Sequence, residues 1–230
     1  MKKVLWTLNI GDYAPELVSM TYPLLERYAQ KIGADFRVIN ERQFPEWPVV
    51  YEKLQIRELG KDNDWNIYID SDALVHPDMF DVTEHLSKDT VLHNGYDLAG
   101  NRWKYDRFFR RDGRHIGSCN WFTIASDQCI DLWEPLNDLT MEEAIKNISL
   151  TQNEVNSGVM GPEHLIDDYT LSRNIAKYGL KFDTLHQLKE RIGDKGDYLW
   201  HIYTVPIAEK AKQMREVLLR WGVLKIKATF

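Results

Sequence analysis

The sequence of 230 residues has few cysteines and no long apolar run, and these two deficits exclude several classes of protein. Its only cysteines are Cys119 and Cys129, which excludes a disulfide-stapled scaffold and a four-cysteine zinc site and indicates reduced thiols. No stretch approaches the roughly 18 consecutive apolar residues of a membrane span. The apolar run behind the N-terminal lysines is too short for a signal peptide, so we expect a cytoplasmic protein.

Basic residues are also in deficit. Lys and Arg number 29 against 35 Asp and Glu, which gives a net charge of −6. A surface that binds nucleic acid is positively charged, so we expect no nucleic-acid partner. No Gly-x-Gly-x-x-Gly follows the first predicted strand and no Gly-Lys-Ser/Thr occurs, which excludes the common dinucleotide and P-loop sites. The length suits one well-buried core, and we expect a single domain over residues 1–230.

Apolar runs and helical periodicities alternate over the first 70 residues. Bulky apolar runs at 4–8, 36–39 and 65–69 predict strands, and apolar residues at helical spacing predict helices over 15–33 and 51–59. This alternation predicts an α/β fold with a Rossmann-like, mostly parallel sheet.

The second half of the chain is less regular. The expected strands are 115–124 and 198–203, and the expected helices are 127–136, 141–148, 167–178 and 208–221. No linker separates this mixed half from the first, so we expect both to share one domain.

Two carboxylates follow the predicted strand 65–69, in the order Asp70-Ser71-Asp72. In an extended chain residues i and i+2 point to the same side, and ligands of open α/β folds bind beyond the carboxyl ends of strands. Carboxylates this close repel each other unless a cation lies between them, and Mg²⁺ or Mn²⁺ with diphosphate oxygens would suit the site. The alternative is a helix cap and a solvated turn.

His201 follows another predicted apolar segment, Leu199-Trp200. An imidazole favours Mn²⁺ over Mg²⁺ when it joins two carboxylates as a third ligand. The alternative is a hydrogen-bonded histidine of the core.

These residues together resemble the GT-A fold nucleotide-sugar glycosyltransferases, above all the glycogenin and bacterial galactosyltransferase group, and are also similar to viral and bacterial sugar transferases. The resemblance covers most of the chain. It rests on the loop Asn9-Ile-Gly-Asp-Tyr13, the strand end Asp70-Ser71-Asp72, the segment Asn156-Ser-Gly-Val-Met160, the helix start Asp167-Asp168, and His201. One departure is the absence of the group's His-x-x-Gly-x-x-Lys-Pro-Trp segment, because His201 is followed by Ile-Tyr-Thr-Val-Pro.

The resemblance implies a GT-A-like domain whose first half, 1–100, binds the nucleotide and whose second half, 101–230, completes the metal and acceptor sites. Residues implied to bind the nucleoside-diphosphate sugar, a UDP-sugar in the first instance, are Thr7, Asn9, Tyr13, Arg37, Lys53 and Asp70. Residues implied to hold Mn²⁺ or Mg²⁺ are Asp70, Asp72 and His201. Thr7, Asn9 and Tyr13 are placed on the loop after the first strand; Tyr13 would stack on the base or merely pack, and Arg37 would be a surface residue otherwise.

The implied reaction moves a sugar from the donor to a hydroxyl of a glycan or another acceptor, with the cation stabilising the departing diphosphate. Asp168 and Asp167, with Glu163 behind them, are the candidate general bases of an inverting reaction, and their alternative role is helix capping. The sequence leaves retention or inversion open.

Two further segments have open interpretations. The basic stretch 102–115, rich in arginine and aromatic residues, is a lid over the diphosphate, a contact for an anionic or lipid-linked acceptor, or a solvated loop. Trp121 is either an acceptor platform or a core residue.

Two other functions stay open. A sugar nucleotidyltransferase would share the sheet and metal, although it usually has a glycine-rich basic loop after the first strand. A non-catalytic carbohydrate-binding module would also use a divalent ion and aromatic residues.

Overall fold

The computed structural model describes residues 1–94, 121–150, 152–158, 161–203 and 205–224. The strands of this part are β1 (Lys3–Leu8), β2 (Ala34–Ile39), β3 (Trp65–Ile69), β4 (Leu74–Val75), β5 (Thr90–His93), β6 (Phe122–Ser126), β7 (Lys181–Thr184) and β8 (Leu199–Trp200). The α-helices are α1 (Pro15–Ile32), α2 (Ile56–Leu59), α3 (Met141–Ile145), α4 (Gln152–Ser157), α5 (Ile166–Tyr178), α6 (Leu185–Ile192) and α7 (Ile207–Arg220). Short 3₁₀ helices cover Val49–Gln55, Val82–Glu84, Asp127–Trp133 and Pro162–Leu165.

Within the described ranges, six strands form the central sheet in the order β2-β1-β3-β6-β5-β7. β1 is parallel to both β2 and β3, and β5 is parallel to β7. β6 runs antiparallel between β3 and β5. The predicted α/β fold with a mostly parallel sheet is therefore confirmed, and the sheet takes strands from both halves of the chain.

Strands β1 and β3 are mainly apolar because both faces of the sheet are covered. Every residue of β1 and β3 is buried. Alternate residues enter opposite cores: Trp6 and Tyr68 pack with Trp133, whereas Leu5 and Ile67 pack against α1 and α6. β1 and β3 are thus packed on both faces, which fixes the position of the residues that follow them at the carboxyl edge of the sheet.

Helix α1 begins at Pro15, a residue suited to a first helical turn, and Gly33 caps its end with a φ of 67°. A smaller core joins α1 to α7, where Leu17 and Leu24 pack with Met214 and Leu218. None of the helices in the described ranges is long and apolar enough to cross a bilayer.

Several predicted boundaries need correction. The predicted helix 51–59 is mostly 3₁₀, and so is the segment predicted as the helix 127–136. The predicted strand 198–203 is limited to β8, which pairs with β4 in a separate two-stranded sheet. Of the predicted strand 115–124, the part before residue 121 lies outside the described residues, and the strand itself extends to Ser126.

Candidate active site and metal centre

The acidic turn lies immediately after β3, at the carboxyl edge of the central strands. The Asp70 amide donates to the carbonyl of Trp121 (2.9 Å), and the Ala73 amide donates to the carbonyl of Asp70 (3.1 Å). The Thr21 hydroxyl of α1 donates to the carbonyl of Ser71. The residue before β6 and helix α1 therefore both hold the turn by hydrogen bonds.

The small sheet of β4 and β8 brings His201 to this turn. Leu74 pairs with Trp200, so the residue after β8 lies beside the residues before β4. His201 Nε2 is 3.2 Å from Asp72 Oδ1. One ligand atom each from Asp70, Asp72 and His201 lies within 4.8 Å of the others. The three predicted metal ligands are thus brought together.

Aromatic rings hold the imidazole in place. The Trp121 ring stacks on His201 with centroids 5.0 Å apart and an interplanar angle of 25°. Tyr203 stacks on His201 at 6.4 Å, and its hydroxyl donates to Glu154 Oε1 (3.4 Å). Trp121, expected at an acceptor wall or in the core, packs partly buried against the core and stacks on a candidate metal ligand.

The second oxygen of Asp72 meets two further donors. Lys210 Nζ donates to Asp72 Oδ2 at 2.6 Å, and the Tyr13 hydroxyl donates to the same oxygen at 3.2 Å. Burial opposes ionisation of Asp72, but His201 and Lys210 outweigh it and lower the pKa of this carboxyl. Burial, and then the Asp72 charge, raise the pKa of Tyr13. Asp72 is therefore ionised and available to a cation at neutral pH.

Asp70 is held from the sheet side. The Tyr68 hydroxyl donates to Asp70 Oδ1 at 2.6 Å, and Lys53 Nζ lies 3.5 Å from the same oxygen. The Lys53 ammonium also lies 4.4 Å from the centre of the Tyr68 ring, a cation–π distance. Lys53, predicted to reach the base or phosphates, is only 1% exposed and directed at carboxylates of the protein.

Asp167, at the start of α5, shares that lysine. Lys53 Nζ donates to Asp167 Oδ2 at 2.5 Å, while Asp167 Oδ1 is buried with no hydrogen-bond partner among the described residues. Burial raises the pKa of Asp167 to about 6 against the opposing effect of Lys53, helped by the charges of Asp70 and Asp168. Burial lowers the pKa of Lys53, but Asp167 and Asp70 outweigh it and raise that pKa. Lys53 thus forms ion pairs with two carboxylates, those of Asp167 and Asp70.

Three predicted donor-binding residues lie away from these contacts. Thr7 was expected on the loop after β1; this was wrong, because it lies within β1, fully buried and paired with Val38. The Asn9 amide donates to the carbonyl of Ile39, which continues the β1–β2 pairing. Arg37 is an exposed residue of the edge strand β2 and pairs with Asp35 at 3.7 Å.

Other predicted features are only partly described. Asp168 is 1% exposed, next to Asp167 in the first turn of α5. Asn156 and Ser157 end helix α4, and Gly158 follows with a φ of 61°. Residues 159–160, the basic stretch 102–115 and Cys119 lie outside the described residues. Cys129 is a buried free thiol.

The donor set fits a divalent cation. Asp70 and Asp72 supply hard oxygen ligands and His201 supplies a nitrogen, a combination that suits Mn²⁺ and tolerates Mg²⁺. Two lysines contact the three carboxylates of Asp70, Asp72 and Asp167, which leaves one negative charge unbalanced. This excess negative charge favours the binding of a cation.

Comparisons with known proteins agree with this architecture. No protein-family model matches the chain, and no curated protein matches it. A glycosyltransferase involved in glycosylation of the major capsid of PBCV-1 has a TM-score of 0.53 at 11% identity, with 94% of this chain and 100% of that chain covered. The galactosyltransferase LgtC, in complex with donor and acceptor sugar analogs, has a TM-score of 0.50 at 13% identity, with coverages of 98% and 97%. The chain therefore has the GT-A-like glycosyltransferase fold.

Proposed function

We propose that the chain is a metal-dependent glycosyltransferase that moves a sugar from a nucleoside-diphosphate sugar, a UDP-sugar in the first instance, to a hydroxyl of a glycan or another acceptor. The observation that carries this proposal is the convergence of Asp70, Asp72 and His201 at the carboxyl edge of a GT-A-like sheet. The proposal includes a cytoplasmic location, which cell fractionation would test.

In this proposal residues 1–100 bind the nucleotide, and residues 101–230 supply His201 and the acceptor side. Asp70, Asp72 and His201 hold Mn²⁺ or Mg²⁺, which as a Lewis acid would stabilise the charge of the departing diphosphate. Tyr13 is 43% exposed, and its hydroxyl is anchored on Asp72. Its ring is therefore free to stack on a base beside the metal site, a contact of about 1–3 kcal/mol.

Asp167 and Asp168 remain the proposed general bases of an inverting reaction. The raised pKa of Asp167, about 6, suits a base, whereas its 2% exposure and its contact with Lys53 favour a positioning role. Asp167 is also the residue that fixes Lys53 against Asp70. The pH dependence of kcat separates a base role from a positioning role.

The first test is calorimetric titration of the protein with UDP, GDP and CDP, each with and without Mn²⁺. We expect one nucleotide, UDP, to bind tightly only when Mn²⁺ is present. Binding of free glycan without any nucleotide would replace the proposal by a carbohydrate-binding module. Consumption of a nucleoside triphosphate with a sugar phosphate would replace it by a sugar nucleotidyltransferase.

Two matched variants localise the binding. Asp72→Asn keeps the size of the side chain and removes the charge, and we expect it to abolish Mn²⁺-dependent binding of UDP. Asp62→Asn is the control, because Asp62 is exposed in the turn before β3 and lies outside the metal cluster. Full Mn²⁺-dependent binding by Asp72→Asn would refute the site.

A further inference from the structure

We propose that Lys210 is a built-in counter-cation of Asp72 that competes with the divalent ion and sets the metal affinity of the site. The inference rests on the proposed metal site and adds a residue that the sequence patterns did not single out. Lys210 is 3% exposed, and its ammonium lies 2.6 Å from Asp72 Oδ2.

The two oxygens of Asp72 have different neighbours. His201 Nε2 lies 3.2 Å from Oδ1, on the side where the candidate ligands meet. Lys210 Nζ and the Tyr13 hydroxyl both lie on Oδ2. A cation bound with His201 would therefore use Oδ1, and Lys210 restricts Asp72 to that single oxygen.

Helix α7 holds the lysine in this position. The Lys210 amide donates to the carbonyl of Pro206, in the first turn of the helix. The adjacent Ala211 and, one turn further on, Met214 are buried against α1. The backbone of Lys210 is thus fixed, and its ammonium contacts Asp72.

The electrostatic consequence is competition for one negative charge. A buried ammonium needs a carboxylate partner, and the only partner of Lys210 in the described ranges is Asp72. A divalent ion on Oδ1 shares that charge with Lys210 and is repelled by the ammonium across a few ångströms. Removing the positive charge should therefore tighten metal binding by at least about tenfold.

The test is calorimetric titration of MnCl₂ into the wild type, Lys210→Met and Lys210→Gln at neutral pH. Lys210→Gln keeps a hydrogen-bond donor for Asp72 without the charge, so it serves if the methionine variant does not fold. We expect each variant that folds to bind Mn²⁺ at least about tenfold more tightly than the wild type. Mn²⁺ should also raise the Tm of these variants more than that of the wild type.

The matched control is Arg215→Met. Arg215 lies on the same helix and pairs with Glu16 at the surface, so its loss removes a positive charge from α7 without touching Asp72. It should leave the Mn²⁺ affinity unchanged.

The outcomes separate the two proposals. Mn²⁺ binding by the wild type with equal or weaker binding by both Lys210 variants would overturn the competition and leave the metal site standing. If both Lys210 variants keep the wild-type Mn²⁺ affinity but bind UDP more weakly, the competition is also overturned and Lys210 is a phosphate ligand. No Mn²⁺ binding by any of these proteins would refute the metal site, and the competition with it.

Discussion

The ammonium of Lys53 lies 2.5 Å from Asp167 Oδ2, and this contact ties the start of α5 to the 3₁₀ helix under the acidic turn. Both side chains are almost fully buried, at 1% and 3% exposure. Lys53 also reaches Asp70 at 3.5 Å. The pair therefore bears on the stability of the fold and on the geometry of the site.

Replacement of Lys53 by methionine tests the stability role. Lys53→Met should lower the free energy of unfolding by about 3–5 kcal/mol, because it leaves the buried Asp167 without its cation. Urea denaturation followed by tryptophan fluorescence measures this loss. The double variant with Asp167→Asn should be clearly more stable than the sum of the single losses predicts, and simple additivity would contradict the coupling.

The raised pKa of Asp167 predicts a pH dependence of stability. The pKa is about 6 in the folded protein against an ordinary value of 3.8, so between these values the folded state binds more protons than the unfolded state. The contribution of Asp167 to stability is therefore greatest below pH 3.8 and is lost as the pH rises through about 6. The unfolding free energy of the wild type minus that of Asp167→Asn should fall by about 3 kcal/mol over this window. A flat difference would contradict the shift.

The same pKa separates the two roles proposed for Asp167 in transfer. If it is the base, kcat of the wild type should fall below about pH 6, because protonation removes the accepting oxygen. Asp167→Asn should then lose transfer at every pH while keeping Mn²⁺-dependent nucleotide binding. A variant that keeps the wild-type profile at reduced kcat would assign Asp167 to positioning alone.

The ring stack on His201 predicts a second effect on metal affinity. Trp121→Ala should weaken Mn²⁺ binding by about 10–100-fold, because groups that orient a metal ligand have effects of this size. Calorimetry measures the change. Trp47→Ala is the control, since it removes a comparable stack, on Tyr51 at 4.1 Å, away from the candidate ligands. Equal affinities of the wild type and Trp121→Ala would refute the positioning role.

Backbone strain before α1 predicts a stabilising substitution. Ala14 has a φ of 43° and a ψ of 64°, a left-handed conformation that costs a residue with a Cβ about 1–2 kcal/mol. Ala14→Gly should therefore raise the free energy of unfolding by about 1 kcal/mol. Ala29→Gly, inside α1, should lower it. A loss of stability at both positions would show that Ala14 is not strained.

The sequence predicts the central strands well because burial on both faces leaves a simple signal. β1 and β3 are mainly apolar and are followed by polar residues, and the acidic turn is recognised by its position after β3. β5 and β7 were not predicted, since each has four residues and no clear alternation of apolar and polar side chains. Their assignment depends on pairing with distant strands.

The residues of the candidate site also differ in whether the sequence predicts them. Asp70 and Asp72 have a local signal, and His201 was recognised with the help of the resemblance. Lys210 had no such signal, because it reads as an ordinary charged residue of an amphipathic helix until α7 is packed on α1. The reach of Lys53 to Asp167 likewise spans 114 positions and depends on tertiary packing.

The distance along the chain from Asp72 to His201 and Lys210 has a consequence for synthesis. These partners lie 129 and 138 positions after Asp72. At about 5–20 residues per second, a ribosome needs roughly 7–28 s to travel from Asp72 to Lys210. During that interval the nascent chain carries the acidic turn without the imidazole or the ammonium. Selective cation capture should therefore be among the last properties that each new molecule acquires.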